Sequence, residues 1–200
     1  MAWLSPVFPT GGFAYSAGLE QAVADGLVKA ESDLETWLTT LLTHGSFWNE
    51  AVLLAAAYRG EDASALASAL APSGERHRET LDQGAAFLDA ASAWDTFNVP
   101  RETPLPVALG KVCALAAIPL SDALTATLQT LVSNQLQAAI RLSLIGQTGA
   151  ARLLAALEPV ILETANTAET SALDDLGGSA FIADIMCTRH ETLSPRIFLS

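Results

Sequence analysis

Between positions 122 and 145 the chain runs 24 residues with neither Gly nor Pro, and 13 of them are apolar. Set at about 100° per residue, those side chains cover more than half of a helix surface. They leave one polar stripe, Thr130, Asn134, Gln137 and Arg141, at the i, i+4, i+7, i+11 spacing of a single face. Ser121 ahead of the stretch and Gly146 behind it supply start and stop signals. At about 1.5 Å per residue the predicted helix is roughly 36 Å long, enough to serve as a central helix on which others pack. A membrane span is excluded, because Asn134, Gln135, Gln137 and Arg141 would lie in or near hydrocarbon at a high cost.

The same periodicity recurs along the chain. Leu34, Trp37, Leu38, Leu41 and Leu42 follow the i, i+3, i+4, i+7, i+8 pattern of a core-facing helix, opened by the capping-box sequence Ser32-Asp33-Leu34-Glu35. Further helices are predicted from Ser16 to Gly26, from about Asn49 to Gly60, and over residues 63–70 and 75–91. Another runs from Pro106 to about Ala117, and one more follows Gly149 through Leu153, Leu154, Leu157 and Ile161, with Pro159 a point of kinking or restart. Residues 166–179 read as a loop before a last helix over 179–188. Residues 1–14 hold Pro6, Pro9 and Gly11-Gly12 among Trp3, Leu4, Val7, Phe8 and Phe13, a pattern that excludes helix yet is too apolar for a free tail. We therefore expect an ordered N-terminal arm, and a docked C-terminal tail over residues 190–200, which ends in Ile197, Phe198 and Leu199. The expected architecture is an all-α, single-domain bundle spanning residues 1–200.

Composition narrows the partners. Half of the residues are hydrophobic, mostly Ala and Leu, which favours helix over sheet. Net charge is −12, and Lys occurs only at Lys29 and Lys111, so nucleic acid is not an expected ligand. Cys113 and Cys187 make no disulfide framework, and no basic stretch followed by an apolar run opens the chain; both features point to the cytoplasm.

Candidate chemistry is sparse. Cys187 and His190 stand three apart on a predicted helix and could share a metal ion, but two ligands do not close a site, so no resident metal or cofactor is expected. Gly11-Gly12 lacks the Lys and Ser/Thr of a phosphate loop. The carboxylates Glu158, Glu163, Glu169, Asp174 and Asp175 read as a solvated face, and no Ser, His and Asp set has a nucleophile context. The chain looks like a binding or assembly protein with no enzymatic activity.

Several stretches, in order along nearly the whole chain, resemble the urease accessory protein family UreF. They are Ser5-Pro6, Pro9, Gly11-Gly12-Phe13, Tyr15-Ser16 and Gly18-Leu19-Glu20; then Glu79-Thr80, Gln83-Gly84 and Phe87-Leu88; then residues 106–110. Asn134, Ala138-Ala139, Arg141-Leu142 and Gly146-Gln147-Thr148 follow, and the last match runs from Phe181 and Asp184 to His190-Glu191-Thr192, Arg196, Phe198 and Ser200. The resemblance implies an all-α homodimer in the cytoplasm that assembles the nickel centre of urease together with UreD (UreH in some systems), the GTPase UreG and apo-urease. It also implies partner contacts at Gly11, Gly12, Phe13, Tyr15, Glu20, Asn134, Arg141, Gln147, His190, Arg196 and Phe198. Two further roles are weighed against the scaffold: a nickel relay through Cys187 and His190, and modulation of GTP hydrolysis through Arg141, Arg196 or Gln147. Ser194-Pro195 and Leu199 stand where the family has a Tyr-Ser pair and a second Arg, and Cys187 stands where it has a small residue.

Overall fold

The structure is a computed structural model that describes Trp3 and residues 8–200. The Ser5-Pro6 pair and four further residues of the expected arm lie outside them. Among the described residues the regular structure is entirely helical. The helices are α1 (Leu19–Ala24), α2 (Glu31–His44), α3 (Ser46–Tyr58), α4 (Ser64–Ala69), α5 (Gly74–Ala91), α6 (Leu105–Leu115), α7 (Leu120–Arg141), α8 (Gln147–Thr170) and α9 (Phe181–His190). Short 3-10 turns cover Gly12–Ala14 and Leu173–Asp175. No described helix is long and apolar enough to cross a membrane.

One aliphatic core joins α2, α3 and α5–α8 through side chains such as Leu38, Leu54, Phe87, Leu124, Leu128 and Leu157. The innermost helix is α3 rather than the expected α7. Residues 51–57 of α3 are buried on every side, and α3 touches α2, α6, α7 and α8. The run of Ala is the reason: small side chains let neighbours approach from all directions, whereas α7 keeps a polar stripe that needs hydrogen-bonding partners. The closest approach is at Gly110 of α6, where an added Cβ would lie 2.3 Å from the Leu54 carbonyl oxygen. A smaller cluster of Leu53, Ala57, Ala63, Ala67 and Val107 seats α4 beside this pair.

Helix ends depart from the sequence pattern in three places, two through local hydrogen bonds and one through tertiary burial. α2 starts at Glu31, with Ala30 at its N-cap, and Asp33 reaches back to the Lys29 and Ala30 amides at 2.9 and 3.1 Å, so the expected Ser32–Glu35 box does not form. α7 stops at Arg141 because Ser143 turns left-handed (φ 60°) and returns its amide to the Ile140 carbonyl. α8 passes straight through Pro159 and continues to Thr170, absorbing the start of the expected loop. Burial of Leu157, Ile161, Ala165 and Ala168 offsets the backbone hydrogen bond that the proline removes.

Candidate functional site

α1 and α9 meet at Gly18. Its φ is +81°, and a Cβ there would stand 2.9 Å from the Cys187 amide nitrogen, so glycine is required twice over. This approach brings Glu20, on α1, to His190 at the last turn of α9. The Nε2 of His190 lies 3.0 Å from Glu20 Oε2, and its Nδ1 lies 2.8 Å from Glu75 Oε2 at the first turn of α5. His190 is fully buried. Each ring nitrogen thus faces a carboxylate oxygen, and the imidazole bridges the start of α1 to the start of α5.

The two glutamates then hold the tail. Glu20 accepts the amide hydrogens of Ile197 at 2.7 Å and Phe198 at 3.0 Å, while Arg196 pairs with Glu75. The Leu199 amide donates to the Ala14 carbonyl and the Ser16 amide to the Ser200 carbonyl, which tie the tail to the segment after the Gly12–Ala14 turn. Ser200 Oγ donates to Glu79 at 2.6 Å, and Ser16 Oγ donates to the Ser200 carbonyl. Along the tail Phe198 is buried, whereas Ile197 and Leu199 are 58% and 56% exposed.

Beneath the tail, Arg76 of α5 pairs with both Glu79 and Glu50, and Gln83 donates to Glu79 at 3.0 Å. One guanidinium faces two carboxylates. Burial acts to lower the Arg76 pKa, but Glu79 and Glu50 outweigh it and hold the guanidinium more firmly protonated. Glu50 is the carboxylate left short: burial, reinforced by Glu79, pushes it up to about 7 against the pull of Arg76. Such a buried cluster lasts only because nearly every lone pair and proton finds a partner. Burial, with Glu79 and Asp82 nearby, also raises the Tyr15 phenol.

The polar stripe of α7 faces this seat. Gln135 donates to the Ser16 carbonyl at 2.7 Å, and Thr130 and Asn134 are half-buried beside Gln83. Arg141 donates to the Phe13 carbonyl and lies 4.2 Å above the Phe198 ring, a cation–π contact that clips arm turn to tail.

Of the residues expected at partner contacts, Gly12, Phe13, Tyr15, Glu20, Asn134, Arg141, His190, Arg196 and Phe198 therefore lie in or against one seat, with Gly11 at its edge. Phe198 is taken up internally, whereas Phe13 is 73% exposed. Gln147 stands apart, exposed at the first turn of α8. The metal candidates are placed poorly for ligation. Both nitrogens of His190 face carboxylates, burial pushes the Cys187 thiol up to about 12, and no group of three potential ligands occurs among the described residues. Glu50, Glu75 and Arg76 are members that the sequence analysis did not single out, and Glu79, Gln83 and Ser200 entered it only as family matches. Arg76, Glu79 and Gln83 sit at i, i+3, i+7 on one face of α5, a spacing that could have exposed them as an inward polar row.

The UreF family profile matches residues 28–158. The urease accessory protein UreF of Mesorhizobium japonicum is 50% identical over all of this chain and 94% of its own length, and that of Brucella ovis is 51% identical over all of this chain and 92% of its own. Urease accessory protein UreF 1 of Brucella anthropi is 47% identical over 99% of this chain and 91% of its own length. With a matching profile over more than half its length and relatives this similar from end to end, the chain belongs to the UreF family.

Proposed function

We propose that this chain serves urease maturation as a scaffold without a reaction of its own, binding UreD (UreH) and the GTPase UreG so that nickel reaches apo-urease. Family membership supports the maturation role. The observation that carries the scaffold reading is the joining of the Gly12–Ala14 turn to the C-terminal tail. The Glu20–His190–Glu75 seat and Arg141 hold together a turn and a tail that are far apart in sequence, and both leave apolar side chains, Phe13 on the turn and Ile197 and Leu199 on the tail, exposed. Exposed apolar side chains on a rigid, charge-anchored base make a surface for another protein. A GTPase held there couples its nucleotide state to assembly if its contacts differ between the GTP and GDP forms.

The test is co-purification of the chain with UreD and UreG, separately and together, in both nucleotide states. A three-protein complex is expected, and the double substitution Phe13→Asp with Ile197→Asp should leave the helical fold intact and reduce retention of UreG. Failure of the intact chain to join either protein in any nucleotide state would overturn the scaffold.

A further inference from the structure

Two buried polar atoms beneath the seat have no hydrogen-bond partner, and each lines a small cavity. Gln135 is 3% exposed. Its Nε2 donates to the Ser16 carbonyl, which leaves Oε1 as an unsatisfied acceptor. It borders a cavity of about 30 Å³ that is also lined by Gly12, Tyr15, Glu79, Gln83 and Asn134. Thr127 is 4% exposed with an unsatisfied hydroxyl, and it borders a cavity of about 40 Å³ lined also by Trp3, Gln83, Phe87, Thr130 and Asn134. Gln83 and Asn134 line both spaces, so the two are neighbours along the seam between α5 and α7.

An orphaned buried acceptor or hydroxyl costs roughly 1–3 kcal/mol. An internal water needs about 10–15 Å³ of accessible space and two to four polar partners. Both cavities meet that requirement: each has room for one or two waters, and each places amide or hydroxyl groups beside the unsatisfied atom. Neither holds a larger ligand. The linings are mixed: Leu105, Leu109 and Leu131 wall the Thr127 cavity and Ala17, Phe47 and Leu131 the Gln135 cavity, and the unsatisfied atom with Gln83 and Asn134 supplies the polar side of each.

We propose that the α5–α7 seam is a built water-binding site, with one water donating to Gln135 Oε1 and another hydrogen-bonded to Thr127 Oγ1, bridged through Asn134 and Gln83. The waters complete the floor on which the Gly12–Ala14 turn rests. This holds whether or not the chain binds UreD or UreG. The test is magnetic relaxation dispersion of water, which counts long-lived internal molecules, on the full chain and two near-isosteric variants. Thr127→Val should lower the count by about one while far-ultraviolet circular dichroism stays unchanged, and Thr127→Ser, which keeps the hydroxyl, should retain it. A high-resolution crystal structure should show ordered density within hydrogen-bonding distance of Gln135 Oε1. The same water count in the Val variant as in the parent would overturn the proposal, as would seam cavities without density.

Discussion

The body around α3 and the seat around His190 are both buried, but they are held together by opposite kinds of force. In the body, Leu, Ala and Val side chains pack α3 against α2, α6, α7 and α8 with no directional demand beyond shape. In the seat, Glu20, Glu75, Glu79, Arg76 and His190 hold one another and the tail through hydrogen bonds that each have one correct partner. Apolar packing resists change through volume, so it fails globally when a helix is pushed away. A charged network fails where a partner is lost, and a tail at its edge can lift into water while the rest stays folded. Dispensable stability is thereby concentrated in the part of the molecule that presents Phe13 and Ile197.

The sharpest way to break this contrast is at Gly110. Valine there forces a Cβ to within 2.3 Å of the Leu54 carbonyl oxygen and 2.9 Å of the Ala57 Cβ. Separating α3 from α6 should cost about 3 kcal/mol or more, read as a large drop in the urea midpoint with every amide of the body losing protection together. Glu20→Ala comes next. It leaves His190 and two tail amides without their acceptor, a loss of about 3–5 kcal/mol if all of them had to stay buried. Because the tail can open locally, the midpoint should move less than in the glycine variant. Hydrogen exchange at Ile197, Phe198 and Leu199 should instead accelerate about tenfold or more, equivalent to about 1.4 kcal/mol. A global collapse in Glu20→Ala without selective tail exchange would erase the distinction between the two regions.

A smaller effect is expected from pH. The Glu50 carboxyl is raised from 4.5 to about 7, so the folded chain holds its proton more tightly than the unfolded chain does. Its contribution is fully present below 4.5 and is lost as pH rises through about 7. Glu50→Gln removes this titration, and the variant's stability should fall less than the parent's across that window in parallel urea titrations. Identical pH dependence would mean that Arg76 compensates the buried carboxylate fully. Arg152→Ala is the smallest change, because its pair with Glu31 is solvent-exposed and links α2 to α8 only at the surface of the body. No measurable shift in midpoint or tail exchange is expected.

Much of the body was legible in advance because its determinants are local. The spacing of Leu34, Trp37, Leu38, Leu41 and Leu42 is a property of one segment, and α2 buries those five residues. Pro159 does not restart the helix, because breaking is a local tendency while the burial that offsets it comes from Leu157 and Ile161 against neighbouring helices. The choice of α7 as the centre failed similarly: length and apolarity favoured it, but enclosure on all sides belongs to the Ala-rich α3. In the seat, resemblance to UreF picked out Glu20, His190, Arg196 and Phe198 without saying what they do for one another. No periodicity joins His190 to Glu75 across 115 positions or to Glu20 across 170.

The amino-acid sequence by itself determined that the chain is helical, that its core is aliphatic and that its C-terminal tail is too apolar to hang free. Those outcomes follow from side-chain spacing and composition, which act over a few turns. Only the tertiary structure decided that residues 12–16 and the C-terminal tail meet at one buried polar seat, that His190 is enclosed between two carboxylates, and that Asn134 and Arg141 of α7 lie against the Gly12–Ala14 turn and the tail. Hydrogen bonds and ion pairs act over about 3 Å, so their partners exist only once the helices have been brought together.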